Sequence, residues 1–176
     1  MHLSLLLIGF ATWPLTAKLA AQDPGASVVS QAVRSAATRA AANFTAAAER
    51  MPADKYEFKP TPAQMSFGDV IGHMSAGNDA LCSSIGGVTA PKRPALAAGA
   101  GKELIVARLR DTFRFCESAL AKVTDERLEE KVPYFGAGKV SRAQVMVSTA
   151  EEWAGHYSQL AVYLRLNGLV PPTAKQ

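Results

Sequence analysis

Apolar positions in the last third of the chain recur at the period of a helix. Counting by that period, Val145, Thr149, Glu152, His156, Leu160 and Tyr163 fall on one stripe, so a carboxylate and an imidazole stand where two core hydrophobes are expected. Three earlier segments carry the same rhythm. Val29, Val33, Ala36, Ala40, Phe44 and Ala47 predict a first helix over about 25–50, opened by Asp23-Pro24 and closed by Met51-Pro52. A second helix is predicted from Ser66, where Asp69 three residues on makes a variant capping box, through Phe67, Val70, Ile71, Met74, Leu81 and Ile85 to a stop at Gly86-Gly87. Ile105, Leu109, Thr112, Cys116, Leu120 and Val123 place a third at about 101–122. The fourth opens at Ser141 and Gln144, again a capping box, and ends at Asn167-Gly168 before Pro171-Pro172.

The connections set the topology. Prolines 60 and 62 push their preceding residues away from the helical region, so Tyr56–Pro62 reads as an extended crossing. Residues 88–100, with Pro91, Pro94 and Gly99, form a longer linker than an antiparallel helical hairpin requires, so the third helix is expected to run in the same direction as the second. A further long connection through Val132–Gly136 is expected to contain extended backbone. Four amphipathic helices in one short domain predict an all-α four-helix bundle with long connections.

Composition narrows this picture. At 176 residues the chain suits one domain, and the formal charge of +4 is spread along it, which argues against a nucleic-acid footprint despite a pI of about 9.2. Neither a Walker loop, a dinucleotide fingerprint nor a Gly-x-Ser-x-Gly elbow is present. The first 21 residues differ from the rest: an apolar run from Leu3 to Phe10, a break at Trp13-Pro14 and small residues before Gln22 read as a secretory signal peptide. That assigns 1–21 to a leader and 22–176 to the folded domain, with a secreted or periplasmic location. The alternative is an uncleaved anchor, but about 15 residues interrupted by proline is short for a bilayer span. No other span is expected, so none would remain after cleavage.

Two cysteines in an exported chain suggest one disulfide. Cys82 is about 16 residues into the second helix and Cys116 about 15 into the third, so parallel helices would bring them to equal height.

Glu152 and His156 are four apart, so their side chains emerge together, as two metal ligands from one helix must. His73, from the second helix, would complete two imidazoles and one carboxylate with open positions, a set that suits zinc, iron(II) or nickel. The bland alternatives are a helix-surface ion pair and a partly buried lone histidine. Asp69 is four before His73 and either caps its helix or accepts the ring N–H; capping is the more economical reading. Trp153 and Tyr157 flank the candidate ligands and are explained equally by packing or by lining a pocket.

The run His156-Tyr-Ser-Gln159-Leu-Ala-Val-Tyr163-Leu-Arg165-Leu-Asn167-Gly168-Leu-Val-Pro171-Pro172 resembles the end of the last helix in the DinB-like family of four-helix bundles. Phe58-Lys-Pro60 and Ser66-Phe67-Gly68-Asp69-Val-Ile-Gly-His73 resemble that family's approach to its second helix. The resemblance implies an up-down-down-up bundle with a divalent metal near its middle. Its usual ligands are three histidines, one on the second helix and two four apart on the fourth. His73 matches the first and His156 the last, while Glu152 departs from the middle one, keeping a ligand and changing its charge. Some members of the wider superfamily are thiol-dependent transferases or isomerases. The expected function is therefore metal-dependent transferase or hydrolase chemistry on a small-molecule substrate or thiol, and the competing class is a non-catalytic metal-binding or structural bundle. A homodimer is compatible with either.

Overall fold

A computed structural model describes residues 27–97 and 99–174; the expected leader and the Asp23-Pro24 pair lie outside them. Four helices make up most of the described chain: α1 (Val28–Arg50), α2 (Phe67–Gly86), α3 (Lys102–Leu120) and α4 (Arg142–Leu166). A two-stranded antiparallel hairpin, β1 (Lys131–Pro133) and β2 (Lys139–Ser141), precedes α4, with Val132 opposite Val140.

Side-chain contacts give the direction of each helix. Along α2 and α3, Asn78 meets Thr112, Cys82 is bonded to Cys116, and Gly86 lies against Ala119, so the two run parallel. In α1 and α4, Phe44 packs on Tyr157 and Arg50 reaches the Val170 carbonyl, so these are parallel as well. Across the two pairs the sense reverses: Arg34 bonds Val123 O while Lys102 bonds Glu49 O, and Tyr163 bonds Met65 O while Arg142 reaches Ser84 O. The bundle is up-down-down-up, as expected. The long linker spans it, anchored midway where Arg93 Nε donates to Asp79 at 2.7 Å and its guanidinium also reaches the Asp111 carbonyl.

Local chemistry fixes the helix ends. Ser66 and Asp69 form the full reciprocal box, with Asp69 N–H to Ser66 Oγ at 3.1 Å and Ser66 N–H to Asp69 Oδ2 at 3.2 Å. At the other end Gly87 turns the chain at φ +66°, in the left-handed region that favours glycine. A Cβ on Gly86 would lie 2.6 Å from the Ala119 carbonyl oxygen, so α2 and α3 approach at a distance only glycine allows.

Two helix starts depart from the sequence reading. At α1 no side chain within the described helix start caps it; Asp125, from a 3₁₀ turn (Asp125–Arg127), does so across the bundle end. Its carboxylate accepts from Val29 N–H, Ser30 N–H and Ser30 Oγ at 2.7–2.9 Å. Desolvation pushes that carboxyl up, but the Ser30 and Val29 hydrogen bonds outweigh it and hold the group below the ordinary carboxylate range. In α4, Ser141 accepts from Gln144 N–H at 3.2 Å, so the donor half of the expected box is present. The next residue adds something periodicity did not reveal. Arg142 is only 2% exposed, and its guanidinium bonds Glu130 Oε2 at 2.6 Å, Arg127 O and Ser84 O, locking hairpin, turn and α2 to the start of α4.

The core is continuous, with Phe44, Phe67, Ile71, Met74, Ile85, Leu109, Leu120, Met146 and Leu160 all buried. No described helix is long and apolar enough to cross a membrane.

Candidate metal centre

Antiparallel α2 and α4 bring the sequence-derived trio together. One ligand atom from each of His73, Glu152 and His156 lies within 4.8 Å of the others, and the two imidazoles stand 5.0 Å apart, centroid to centroid, at 67°. The stripe that suggested them is shifted, however. Val145, Thr149, Leu160 and Tyr163 are buried, but the Glu152 and His156 side chains are 44% and 20% exposed. The buried arc of α4 is centred nearer Met146, Trp153 and Leu164, which leaves the Glu152–His156 edge at the rim beside α2. His73 is exposed there too. The pair therefore avoids the cost of full burial and stays reachable from solvent.

A chain of hydrogen bonds sets the ring of His156. Tyr163 is buried on α4, and its hydroxyl donates to the Met65 carbonyl at 3.0 Å, just before α2 begins. A carbonyl can only accept, so the hydroxyl's free lone pair faces the Gln159 amide N–H, at 3.1 Å. That turns Gln159 Oε1 toward His156 Nδ1, 3.2 Å away, and the proton of a neutral ring belongs on Nδ1. Nε2 is then a bare lone pair, and it faces Glu152 Oε2 at 3.1 Å. Two lone pairs at that distance repel unless a cation lies with them, either a proton or a metal ion. Metal-binding histidines are commonly oriented through their other nitrogen in this way.

Beneath the rim a second network holds α4 against its neighbours. Trp153 Nε1 donates to Asn78 Oδ1 at 2.8 Å, Asn78 Nδ2 to Thr112 Oγ1 at 3.3 Å, and Thr112 Oγ1 to Leu109 O at 2.9 Å. All three side chains are buried, so the bonds satisfy polar groups that would otherwise be orphaned and fix the register of α4 beside His73. Trp153 is thus a packing residue; Tyr157 packs on Phe44 and bonds Thr173. Asp69 serves as the α2 cap. Sequence reasoning missed the work of Gln159 and Asn78. The available signals were a carboxamide three residues after His156 and an amide standing between Met74 and Leu81 on an apolar stripe.

On the other side of His73, α2 and the linker enclose a groove of about 700 Å³, where Gly68, Gly72 and Ala76 leave the helix surface low. Two imidazole nitrogens and a carboxylate brought this close could together hold a cation.

Comparison with known proteins agrees with this architecture. A DinB-like protein from Bacillus cereus superposes with a TM-score of 0.70 at 16% identity, covering 82% of this chain and 97% of its own. A second DinB-like protein, from Bacillus subtilis, gives 0.65 at 17% identity, covering 82% and 99%. At such identities the likeness shows the fold alone. No curated protein matches the chain. The model of the DinB superfamily matches residues 36–160, most of the bundle, and the chain therefore belongs to that superfamily.

Proposed function

We propose that this protein is an exported DinB-superfamily member that holds one divalent cation on His73, Glu152 and His156 and uses it for metal-dependent hydrolase or transferase chemistry on a small molecule. The observation that carries the metal site is the convergence of His156 Nε2, 3.1 Å from the Glu152 carboxylate, with a ligand atom of His73 within 4.8 Å of both. Two nitrogens and one oxygen fit zinc, nickel or iron(II), since imidazole suits all three and the carboxylate offsets one positive charge. A cation with open positions supplies Lewis acidity, which makes a coordinated water or thiol give up its proton near neutral pH. The chain's own part is to present the three ligands from two rigid helices, to fix the His156 tautomer through Gln159, and to leave the low wall of α2 open for substrate. Glu152→His should retain the cation, since it restores the three-histidine set.

Export is supported by the apolar leader and by the Cys82–Cys116 disulfide, because such bonds persist in oxidising compartments. Few thiol cofactors are at hand outside the cytosol, which favours water as the activated nucleophile. A screen of ester hydrolysis and thiol transfer, with chelator and with added zinc, nickel or iron(II), tests the activity. Turnover abolished by chelation and restored by one of these metals is expected. Stoichiometric metal with no turnover in any arm would assign the protein to the non-catalytic class.

A further inference from the structure

We infer that the groove beside His73 takes a small amphipathic carboxylate, its anionic head held by Arg108 and its apolar body lying across α2 toward the candidate ligands. The inference names the substrate class of the proposed reaction; it rests on that reading for the chemistry, though not for the binding. The groove's walls are mostly apolar, with Pro94 and Leu96 from the linker, Ile105 from α3, and Gly72 and Ala76 from α2. His73 and Arg108 line this same groove. The Cys82–Cys116 bond and the Asn78–Thr112 contact each join positions 34 apart on the parallel helices, so Arg108 stands level with Met74, one residue past His73. His73 lies on the α4 flank of α2 and Arg108 on its α3 flank, so they stand at one height, about 10 Å or one helix diameter apart.

Arg108 is the charge that the fold leaves incomplete. Of the three arginines on α3, Arg110 pairs with Glu49 and Arg114 with Asp111, while Arg108 meets only the Pro94 carbonyl, which accepts from Nη2 at 2.9 Å. A guanidinium carries five N–H donors in a planar fork that fits a carboxylate, so four of them have no partner among the described residues. The other charges of the groove are accounted for. Arg93 and Asp79 close on each other at 2.7 Å and cancel. Asp69 caps α2, and it and Glu57 are exposed at the end of the groove where α2 starts. Asp69 is five residues, about 7.5 Å, before the level of Arg108. A carboxylate is therefore drawn to Arg108 and repelled from the start of α2, which fixes the direction of the ligand. The apolar walls hold the rest of it, in the manner of small-molecule sites in which a few polar groups set the orientation.

Titration of the metal-free protein with 4-phenylbutyrate, 4-phenylbutanol and 4-phenylbutylamine, read from the backbone amide NMR shifts of Gly72 and Leu96, tests the inference. The carboxylate should bind about tenfold tighter than the alcohol or the amine, as a charge-assisted hydrogen bond provides. Arg108→Gln, whose amide can still donate to the Pro94 carbonyl, should bring the carboxylate to the affinity of the alcohol and leave the alcohol unchanged, a pattern that a merely structural arginine does not give. Ala76→Leu fills the groove and should weaken all three probes. Equal affinity for the three in wild type, no shift in the groove at about 10 mM probe, or an Arg108→Gln that weakens the alcohol as much as the carboxylate would overturn the inference. Zinc uptake is measured separately, so the two readings fail separately. A protein that selects the carboxylate and takes up no zinc defeats the cation reading alone; one that takes up zinc and does not select defeats this inference alone.

Discussion

The ring of His156 is oriented by a residue outside the candidate ligand set. Gln159 passes the fixed polarity of the Met65 carbonyl, through Tyr163, to Nδ1, and so leaves Nε2 turned toward Glu152. Gln159→Leu keeps the volume and removes this orientation. We expect its metal affinity to fall about tenfold or more, within the range for losing a ligand's hydrogen-bond partner, with helicity unchanged; calorimetric titration of the cation measures it. An affinity equal to wild type would mean that the ring is oriented by packing. Trp153→Phe acts on the network below. It leaves Asn78 Oδ1 buried without its donor and should cost about 1–3 kcal/mol in denaturant unfolding, most of it from desolvation of the orphaned oxygen. That His73, Glu152 and His156 meet was legible in the sequence because spacing and family resemblance both point to side chains. The polarity of the hydrogen bonds was not, because it starts from a backbone carbonyl outside either helix.

Among the elements, the two ends of α2 and the start of α4 carry the sharpest expectations. Gly86 faces backbone, which cannot move aside as a flexible side chain can, so Gly86→Ala should separate α2 from α3 and cost about 1–3 kcal/mol. Glu130 accepts from Arg127 and from buried Arg142, and the Arg127 hydrogen bonds, followed by those of Arg142, hold its carboxyl at about 2, below the ordinary 4.5. A depressed folded value means that the contribution to stability is complete above about pH 4.5 and is lost as pH falls toward 2. Asp125, also depressed, acts in the same direction. Glu130→Gln should therefore lower stability at pH 7 and flatten the acid limb, as read from denaturant midpoints across that range; an acid limb as steep as that of wild type would remove the clasp from the account. The helix positions were legible because each stripe ends at a capping serine, a glycine or a proline. The α1 cap and the Arg142 clasp were not, since both join residues that periodicity cannot connect: Asp125 with Ser30, and Arg142 with Ser84.

At the scale of the whole molecule, parallel α2 and α3 put Cys82 and Cys116 at one height, and the same arrangement leaves α2 free to face α4 across the His73–His156 pair. The linker's length made this topology readable, because thirteen residues can return the chain to the starting end of the bundle. The bridge closes a loop of sequence separation 34, so its reduction should lower stability by about 3 to 4 kcal/mol on a loop-entropy basis. Unfolding curves with and without reductant measure the loss. The shift of Glu152 and His156 to the rim was not readable, because the mean direction of α4's buried arc is set by what α2 and α3 present to it. The cation site proposed above needs α2 and α4 together. It is tested most directly by elemental analysis combined with titration of zinc, nickel and iron(II) into wild type, His73→Ala and His156→Ala at neutral pH and again in mild acid. One equivalent is expected in wild type, with weaker binding as protons compete for the imidazoles, and little or none in either variant. Equal metal content in all three proteins would contradict it and leave Glu152 and His156 as a hydrogen-bonded structural pair.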